Sequence, residues 1–378
     1  MALGVYVHVP FCSSRCGYCD FNTYTATELG DSVRRDTFHE VLADEVRLAA
    51  RTLGPGRGPV DTVFVGGGTP TLLGSSGLTF VLDAIRAELG LADGAEVTTE
   101  ANPDSVDEAM LAELRSAGFT RISFGMQSTS PAVLRILDRT HTPGAGLEVA
   151  RAAARAGFDH VNLDLIYGTP GESDEDLRRS VVDALEAGVD HVSAYALIVE
   201  DGTPLARRVR RGELPAPDDD VAAARYAIVD DLLTQAGLDW YEVSNWARPG
   251  GECRHNLAYW HGTDWWGVGP GAHSHVDGER WWNVRHPRTY AQALAAGESP
   301  EEGREVLTEG QRRVESVMLG LRLAEGLPVT ALSPGASARV EENVARGLLD
   351  PTALADGRLA LTPAGRLLAD AVIRDLVD

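Results

Sequence analysis

Up to residue 200 the chain repeats one unit: a short β-rich run, a turn or glycine segment, then a stretch with helical spacing of apolar residues. The β-rich runs are Gly4–Val9, Thr62–Val65, Glu96–Thr99, Arg121–Phe124, His160–Ile166 and His191–Ile198. Helices are expected between them, over Asp36–Ala50, Leu78–Leu89, Val106–Ala117, Ala145–Ala156 and Glu175–Ala187. Ser105-Val106-Asp107-Glu108 has the form of a capping box at the start of the third. Six β-then-α units in a row imply a parallel sheet with helices outside. Right-handed crossovers allow either an open partial barrel or a flat doubly wound sheet. In both, chemistry belongs at the carboxyl ends of the strands.

Beyond residue 200 the pattern changes. A long helix over Asp218–Gln235 leads to a strand-like Trp240–Val243, then to an aromatic, glycine- and histidine-rich stretch from Asn245 to Trp282. The tail reads as helix (Gln311–Leu323), helix (Ala336–Gly347), strand (Arg358–Leu361) and helix (Pro363–Leu376), with Thr362 as N-cap and Pro363 in the first turn. Three regions result: a barrel over 1–235, an aromatic segment over 236–304 expected to lie across its mouth, and a small, mainly helical, winged-helix-like unit over 305–378. A winged helix suggests DNA, but no basic stripe runs along these helices, so packing against the barrel is the expected role.

Composition narrows the partners. A net charge of −22 argues against a nucleic-acid backbone as the main ligand. No run approaches the roughly 18 apolar residues of a membrane span. The opening MALGVYVHVPFC lacks the basic region and cleavage site of a signal peptide, so a cytoplasmic location is expected. Four cysteines, three of them between positions 12 and 19, do not make a disulfide framework and point to metal binding.

Those three are Cys12, Cys16 and Cys19, directly after the first strand. Thiolates suit iron–sulfur clusters because soft, charged sulfur matches iron. Three cysteines on one tight loop ligate three irons of a cubane and leave the fourth open. Structural zinc is the alternative; it needs a fourth ligand from His8 or Cys253, which the spacing does not favour. The spacing of three, then two intervening residues, with Tyr18 before the last cysteine, matches the radical S-adenosylmethionine (SAM) signature.

More motifs end successive strands: Val65-Gly66-Gly67-Gly68-Thr69-Pro70, Thr99-Glu100-Ala101-Asn102-Pro103, Phe124-Gly125-Met126-Gln127-Ser128, Leu137-Asp138-Arg139-Thr140-His141 and Asn162-Leu163-Asp164-Leu165-Ile166-Tyr167-Gly168. Any one of them reads as a cap or a surface polar residue; together they describe a converging polar site. With Tyr6-Val7-His8-Val9-Pro10-Phe11, the set resembles the oxygen-independent coproporphyrinogen III oxidase group of radical SAM proteins. That resemblance implies an incomplete (β/α)6 barrel and a [4Fe–4S] cluster on the three cysteines. It also implies SAM on Tyr6, Gly67 and Glu100, and an adjacent site, described in the oxidase as holding a second SAM, on Tyr18, Gly68, Thr69, Gln127, Arg139 and Asp164.

Two departures from the oxidase favour a sister branch, the HemW-type haem chaperones. The oxidase carries several dozen residues before its cysteine loop, where this sequence has 11, and it has a fourth cysteine where this sequence has Phe21. His255-Asn256-Leu257-Ala258-Tyr259-Trp260 matches the HNxxYW motif of that branch, which implies haem on His255. Imidazole is a standard axial ligand, and Tyr259, Trp260, Trp265 and Trp266 offer flat apolar surface to a porphyrin. A structural, hydrogen-bonded histidine is the alternative for His255, as for His273 and His275; Cys253 reads as an inert buried thiol. The branch implies a binding and transfer protein that delivers haem to acceptors such as respiratory enzymes, some of them membrane-bound. Oxidative decarboxylation of coproporphyrinogen III is the alternative activity.

Overall fold

A computed structural model describes residues 3–30 and 33–377. Six parallel strands pair in chain order: β1 (Leu3–Val9), β2 (Val60–Gly67), β3 (Leu91–Ala101), β4 (Arg121–Gln127), β5 (His160–Tyr167) and β6 (His191–Ala196). The order decides between the two expected arrangements. A doubly wound sheet needs a reversal of strand order. Here every right-handed crossover steps the same way, so the helices fall on one face and the sheet curls. The crossovers are Phe38–Leu53, Gly74–Glu88, Glu108–Ala117, Ala145–Ala156 and Asp174–Glu186, close to the expected helices. The capping box at Ser105 is not used. Asp107 caps the third helix by accepting from the Met110 N–H at 2.8 Å, while the Ser105 hydroxyl donates to the Asn102 carbonyl at 2.6 Å.

Six short strands extend this sheet at both edges: β7 (Asp239–Glu242), β8 (Asn245–Ala247), β9 (Asp264–Val268), β10 (His273–Val276), β11 (Glu279–Asn283) and β12 (Glu301–Val306). β9 runs parallel to β1 and carries the antiparallel β10, β11 and β12; β8 and β7 close the other side beyond β6. Among the described residues the outermost strands, β12 and β7, are not paired with each other, so the barrel is incomplete.

Strand alternation sorts the two faces. Val5, Val7, Val63, Val65, Val97, Ile122, Phe124, Leu163, Leu165 and Val192 pack beneath the helices in the main core. The alternate residues turn into the barrel and are polar or aromatic: Tyr6 and His8, Thr62 and Phe64, Glu96, Thr98 and Glu100, Ser123, Asn162 and Asp164, His191 and Ser193. Buried polar groups survive only with partners, and this interior supplies them to all of these but Thr98, whose hydroxyl has none among the described residues.

The C-terminal unit has a core of its own around Val317, Leu321, Val340, Leu349, Val372 and Ile373. Leu327–Pro328 and Arg358–Leu359 form its two-stranded ladder. Thr362 caps its helix as expected, accepting from the Gly365 N–H at 3.0 Å, but the final helix is broken at Leu368 into Pro363–Leu367 and Ala369–Val377. Arg366 docks the unit on the barrel, its guanidinium 3.8 Å from the Trp240 ring and 3.3 Å from Asp230.

Candidate functional site

The cysteine loop leaves β1 at its carboxyl end and is tied down on both sides. The Cys12 N–H donates to the Tyr24 carbonyl at 3.0 Å, Gly17 to Leu137 at 3.0 Å, and Leu205 to the Gly17 carbonyl at 2.8 Å. The end of β2 folds back on the same loop, with the Gly68 N–H on the Val9 carbonyl (2.8 Å) and the Thr69 N–H on the Phe11 carbonyl (2.7 Å). Two glycines are required here. Gly67 sits at φ +111°, and a Cβ there would stand 2.7 Å from the His8 ring. A Cβ on Gly68 would overlap the Phe11 carbonyl and stand 3.0 Å from Cys12 Sγ.

A cavity of about 390 Å³ fills the mouth above the strands. It brings together Cys12, Cys16, Cys19, Tyr18, Gly67, Gly68, Thr69, Glu100, Gln127, Arg139 and Asp164. Eleven of the thirteen residues expected at the site therefore share one cavity. Tyr6 lies beneath it, its hydroxyl 3.0 Å from His8 Nδ1, and His8 Nε2 in turn contacts the Asn22 carbonyl at 2.9 Å. His255 is elsewhere.

The electrostatics suit a cationic, hydrogen-bonding ligand. Glu100 accepts from the Gly67 N–H at 3.1 Å, and burial, with Asp164 adding to it, pushes its carboxyl up to about 8. Burial also raises Asp164, against the Asn162 amide at 2.7 Å and the Ser123 hydroxyl at 3.1 Å. Arg139 donates from Nη1 to Cys16 Sγ at 3.2 Å and from Nη2 to the Gly125 carbonyl; its buried Nε has no partner among the described residues. Burial pushes the Cys12 thiol up and the Cys19 thiol to about 11. Burial thus favours the neutral thiols, which would have to lose their protons to hold a metal.

This donor set fits a cluster. Among the described residues no three His, Cys, Asp or Glu side chains stand close enough to hold one metal ion. A tetrahedral zinc site needs such a group, whereas three thiolates on a cubane each take a different iron. The unpaired Arg139 Nε and the Gly67–Gly68 backbone leave room and partners for a carboxylate and an amino group beside it.

Two expected features lie away from this cavity. The segment over 236–304 contributes nothing to the cavity among the described residues; the helix Arg254–Trp260 plugs the opposite, amino-end floor instead. Its contacts are with the starts of the strands: the His255 N–H on Glu96 (3.0 Å), and Arg121 on the Gly251 and Glu252 carbonyls at 2.6 and 3.0 Å. His255, expected as the haem ligand, lies on this helix. The imidazole is wholly buried and both its nitrogens are engaged, Nδ1 with Thr62 Oγ1 at 2.8 Å and Nε2 with the Tyr259 hydroxyl at 2.9 Å. Neither nitrogen is left for iron in this conformation.

The sequence reading also missed supporting residues. His8, Asn22, Ser123 and Asn162 orient the groups at the site, and Phe21, Tyr195 and Ile198 form an exposed apolar lip. The period-2 alternation of the strands carried that signal, since Ser123, Asn162 and Asp164 share the inner face.

The Radical SAM superfamily model matches residues 6–184. "Heme chaperone HemW" of Mycobacterium tuberculosis is 57% identical over 99% of this chain and 94% of its own length. The chain belongs to the HemW family. "Heme chaperone HemW" of Escherichia coli is 37% identical over 86% of the chain and 84% of its own length. The HemW fold seen here is similar to that of the E. coli coproporphyrinogen III oxidase HemN, at a TM-score of 0.83 over 99% of this chain and 89% of that one, with 23% identity. No helix among the described residues is long and apolar enough to cross a membrane.

Proposed function

We propose that this HemW-family protein is a haem chaperone. It carries a [4Fe–4S] cluster on Cys12, Cys16 and Cys19, binds SAM beside it, holds haem, and passes the haem to an acceptor protein. The observation that carries the reading is the convergence of three thiols, the Gly67–Thr69 backbone and the Glu100 and Asp164 carboxylates on one cavity, in a chain whose relatives of matching length bear the chaperone name.

Cluster and SAM together supply one-electron reduction and cleavage of a C–S bond. The chain's own residues bind and orient. Tyr6, Gly67 and Glu100 hold the cluster-bound SAM; Tyr18, Gly68, Thr69, Gln127, Arg139 and Asp164 line the adjacent position. Glu100, whose carboxyl pKa is raised by burial, accepts from an ammonium or hydroxyl donor, and Arg139 pairs with a carboxylate. The protein works in the cytoplasm, on acceptors such as respiratory enzymes, with peripheral contact where these are membrane-bound. Nucleic acid is not a partner.

The test is haem titration of the anaerobically reconstituted protein beside a coproporphyrinogen III turnover assay on the same sample. Saturable haem binding without turnover is the expected result. Turnover to protoporphyrinogen IX would make the protein an oxidase. In Cys12→Ala, Cys16→Ala and Cys19→Ala the visible absorbance of the cluster should be lost, and a full cluster in all three would overturn the ligand set.

A further inference from the structure

Each of the three loop sulfurs has a hydrogen-bond donor, and one of these donors is unlike the rest. Cys12 faces the Thr23 and Thr69 hydroxyls, and Cys19 faces the Phe21 N–H. Those donors are neutral. Cys16 Sγ instead takes a guanidinium, from Arg139 Nη1 at 3.2 Å. Among the described residues Arg139 forms no ion pair with a carboxylate. Arg15, the other arginine lining the cavity, is largely exposed and lies 3.4 Å from Glu28.

Local backbone features place that guanidinium. The short helix Pro131–Ile136 ends with the Arg139 N–H on the Leu134 carbonyl at 2.9 Å. The Gly17 N–H holds the Leu137 carbonyl at 3.0 Å, which pins the turn to the cysteine loop. Asp138, inside the turn, sits at φ +52°, a left-handed conformation that aspartate tolerates better than most residues. On the other side, β4 bulges against β5 between Gly125 and Gln127, and the Gly125 carbonyl accepts from Arg139 Nη2. A Cβ on Gly125 would stand 2.9 Å from that same Nη2, so a glycine there leaves the guanidinium its place.

A hydrogen bond to a ligand sulfur and a positive charge beside it both stabilise the extra electron of a reduced iron–sulfur cluster, and so raise its potential. The neutral donors at Cys12 and Cys19 supply the first effect alone. Arg139 supplies both, in a partly enclosed cavity where charge is less screened than in water. Its Nε–H, buried and without a partner among the described residues, stays available to the carboxylate of a ligand in the adjacent position. The two contacts therefore do not compete for one donor.

We propose that Arg139 sets the reduction potential of the cluster through its contact with Cys16. It is a tuning residue and not a ligand. The step it governs is the gain of one electron by the oxidised cluster from a low-potential one-electron donor; no covalent bond forms or breaks and no proton is taken up. The proposal deepens the cluster reading of this cavity and rests on it. Gly125, the bulge beside it and the Asp138 turn then share one purpose, which is to hold a cation against a single sulfur.

The full-length protein, reconstituted anaerobically and free of SAM, is titrated with dithionite in the presence of redox mediators, and the reduced cluster is followed by electron paramagnetic resonance. In R139Q reduction should become roughly tenfold less favourable, a fall in midpoint potential of about 59 mV for one electron. R139K keeps the charge but not the planar fork, and should fall by less. G125A keeps the arginine and displaces its guanidinium, so its potential should move in the same direction. R15Q should leave the potential unchanged, because Glu28 already offsets that charge. Iron content and urea midpoint are measured on every variant. An unaltered potential in R139Q at full iron content would overturn the proposal, as would an equal shift in R15Q. Should R139Q hold no cluster, G125A decides, and an unaltered potential there is the overturning result. If the unaltered protein assembles no cluster, the cluster reading itself falls.

Discussion

Thr62 Oγ1 and His255 Nδ1 stand 2.8 Å apart inside the barrel floor, joining the start of β2 to the helix that plugs the barrel from below. On the other side of the ring, the Tyr259 hydroxyl contacts Nε2 at 2.9 Å, and Phe64 stacks against it with a centroid distance of 5.5 Å. Burial pushes the imidazole down to about 4, so it is neutral near pH 7, donating from one nitrogen and accepting at the other. His255 therefore acts as a clasp between the plug helix and the sheet.

His255→Ala is accordingly expected to lower stability by about 2–4 kcal/mol, through a cavity and two hydroxyls left without partners. The urea midpoint should fall. A variant of unchanged stability would remove the clasp.

Gly68→Ala should disrupt the cluster site without touching a ligand. The added methyl would overlap the Phe11 carbonyl oxygen, which is backbone, and press on Cys12 Sγ. Neither can yield without moving the cysteine loop, so reconstitution should give less than about half of the normal iron content, at a cost of about 1–3 kcal/mol. Iron analysis and visible absorbance check this; full iron content would mean that the loop adjusts freely.

Much of the mouth was legible because its residues are adjacent in sequence to strand ends, where parallel α/β folds put their chemistry. Cys12, Gly67, Glu100, Gln127 and Asp164 fall there by register alone. The floor was not legible. His255 reaches Thr62 across 193 positions, and nothing local says whether an aromatic helix covers the top of a barrel or plugs its base. That depends on β9 joining β1 in parallel, which a run as short as Asp264–Val268 does not announce.

Glu100 should leave a signature in the pH dependence of stability. Its folded-state value of about 8 lies above the ordinary 4.5, so the folded chain holds a proton that the unfolded chain releases between those values. Stability therefore falls as pH rises from 4.5 to 8, by up to about 1.4 kcal/mol per pH unit from this group. Glu45, Glu172 and Glu242, each raised to about 7 by burial, act with the same sign. Glu100→Gln should thus reduce the slope of stability between pH 5 and 8 by about one proton's worth. Urea midpoints at unit steps of pH measure it, and an unaltered slope would show that Glu100 titrates normally.

A last contrast tests how the interior holds Asp164. The Asn162 amide donates to Asp164 at 2.7 Å, and its carbonyl oxygen faces His191 Nδ1 at 2.6 Å. His191 Nε2 contacts the Tyr241 hydroxyl at 2.7 Å, which accepts from the Cys253 N–H at 3.3 Å. The Asn162 oxygen only accepts, so His191 Nδ1 carries the proton and Tyr241 donates to Nε2; every bond in the chain then points its donor toward Asp164. Asn162→Leu removes the donor nearest the carboxylate and should weaken SAM binding about tenfold as well as destabilise the fold by about 2–4 kcal/mol. Tyr241→Phe leaves the Asn162–Asp164 bond standing, so it should cost about 1–3 kcal/mol of stability and change SAM affinity less than about threefold. Calorimetric titration of SAM into both variants separates the two effects. Equal losses of affinity would mean that the whole chain, and not its last donor, holds Asp164 in place.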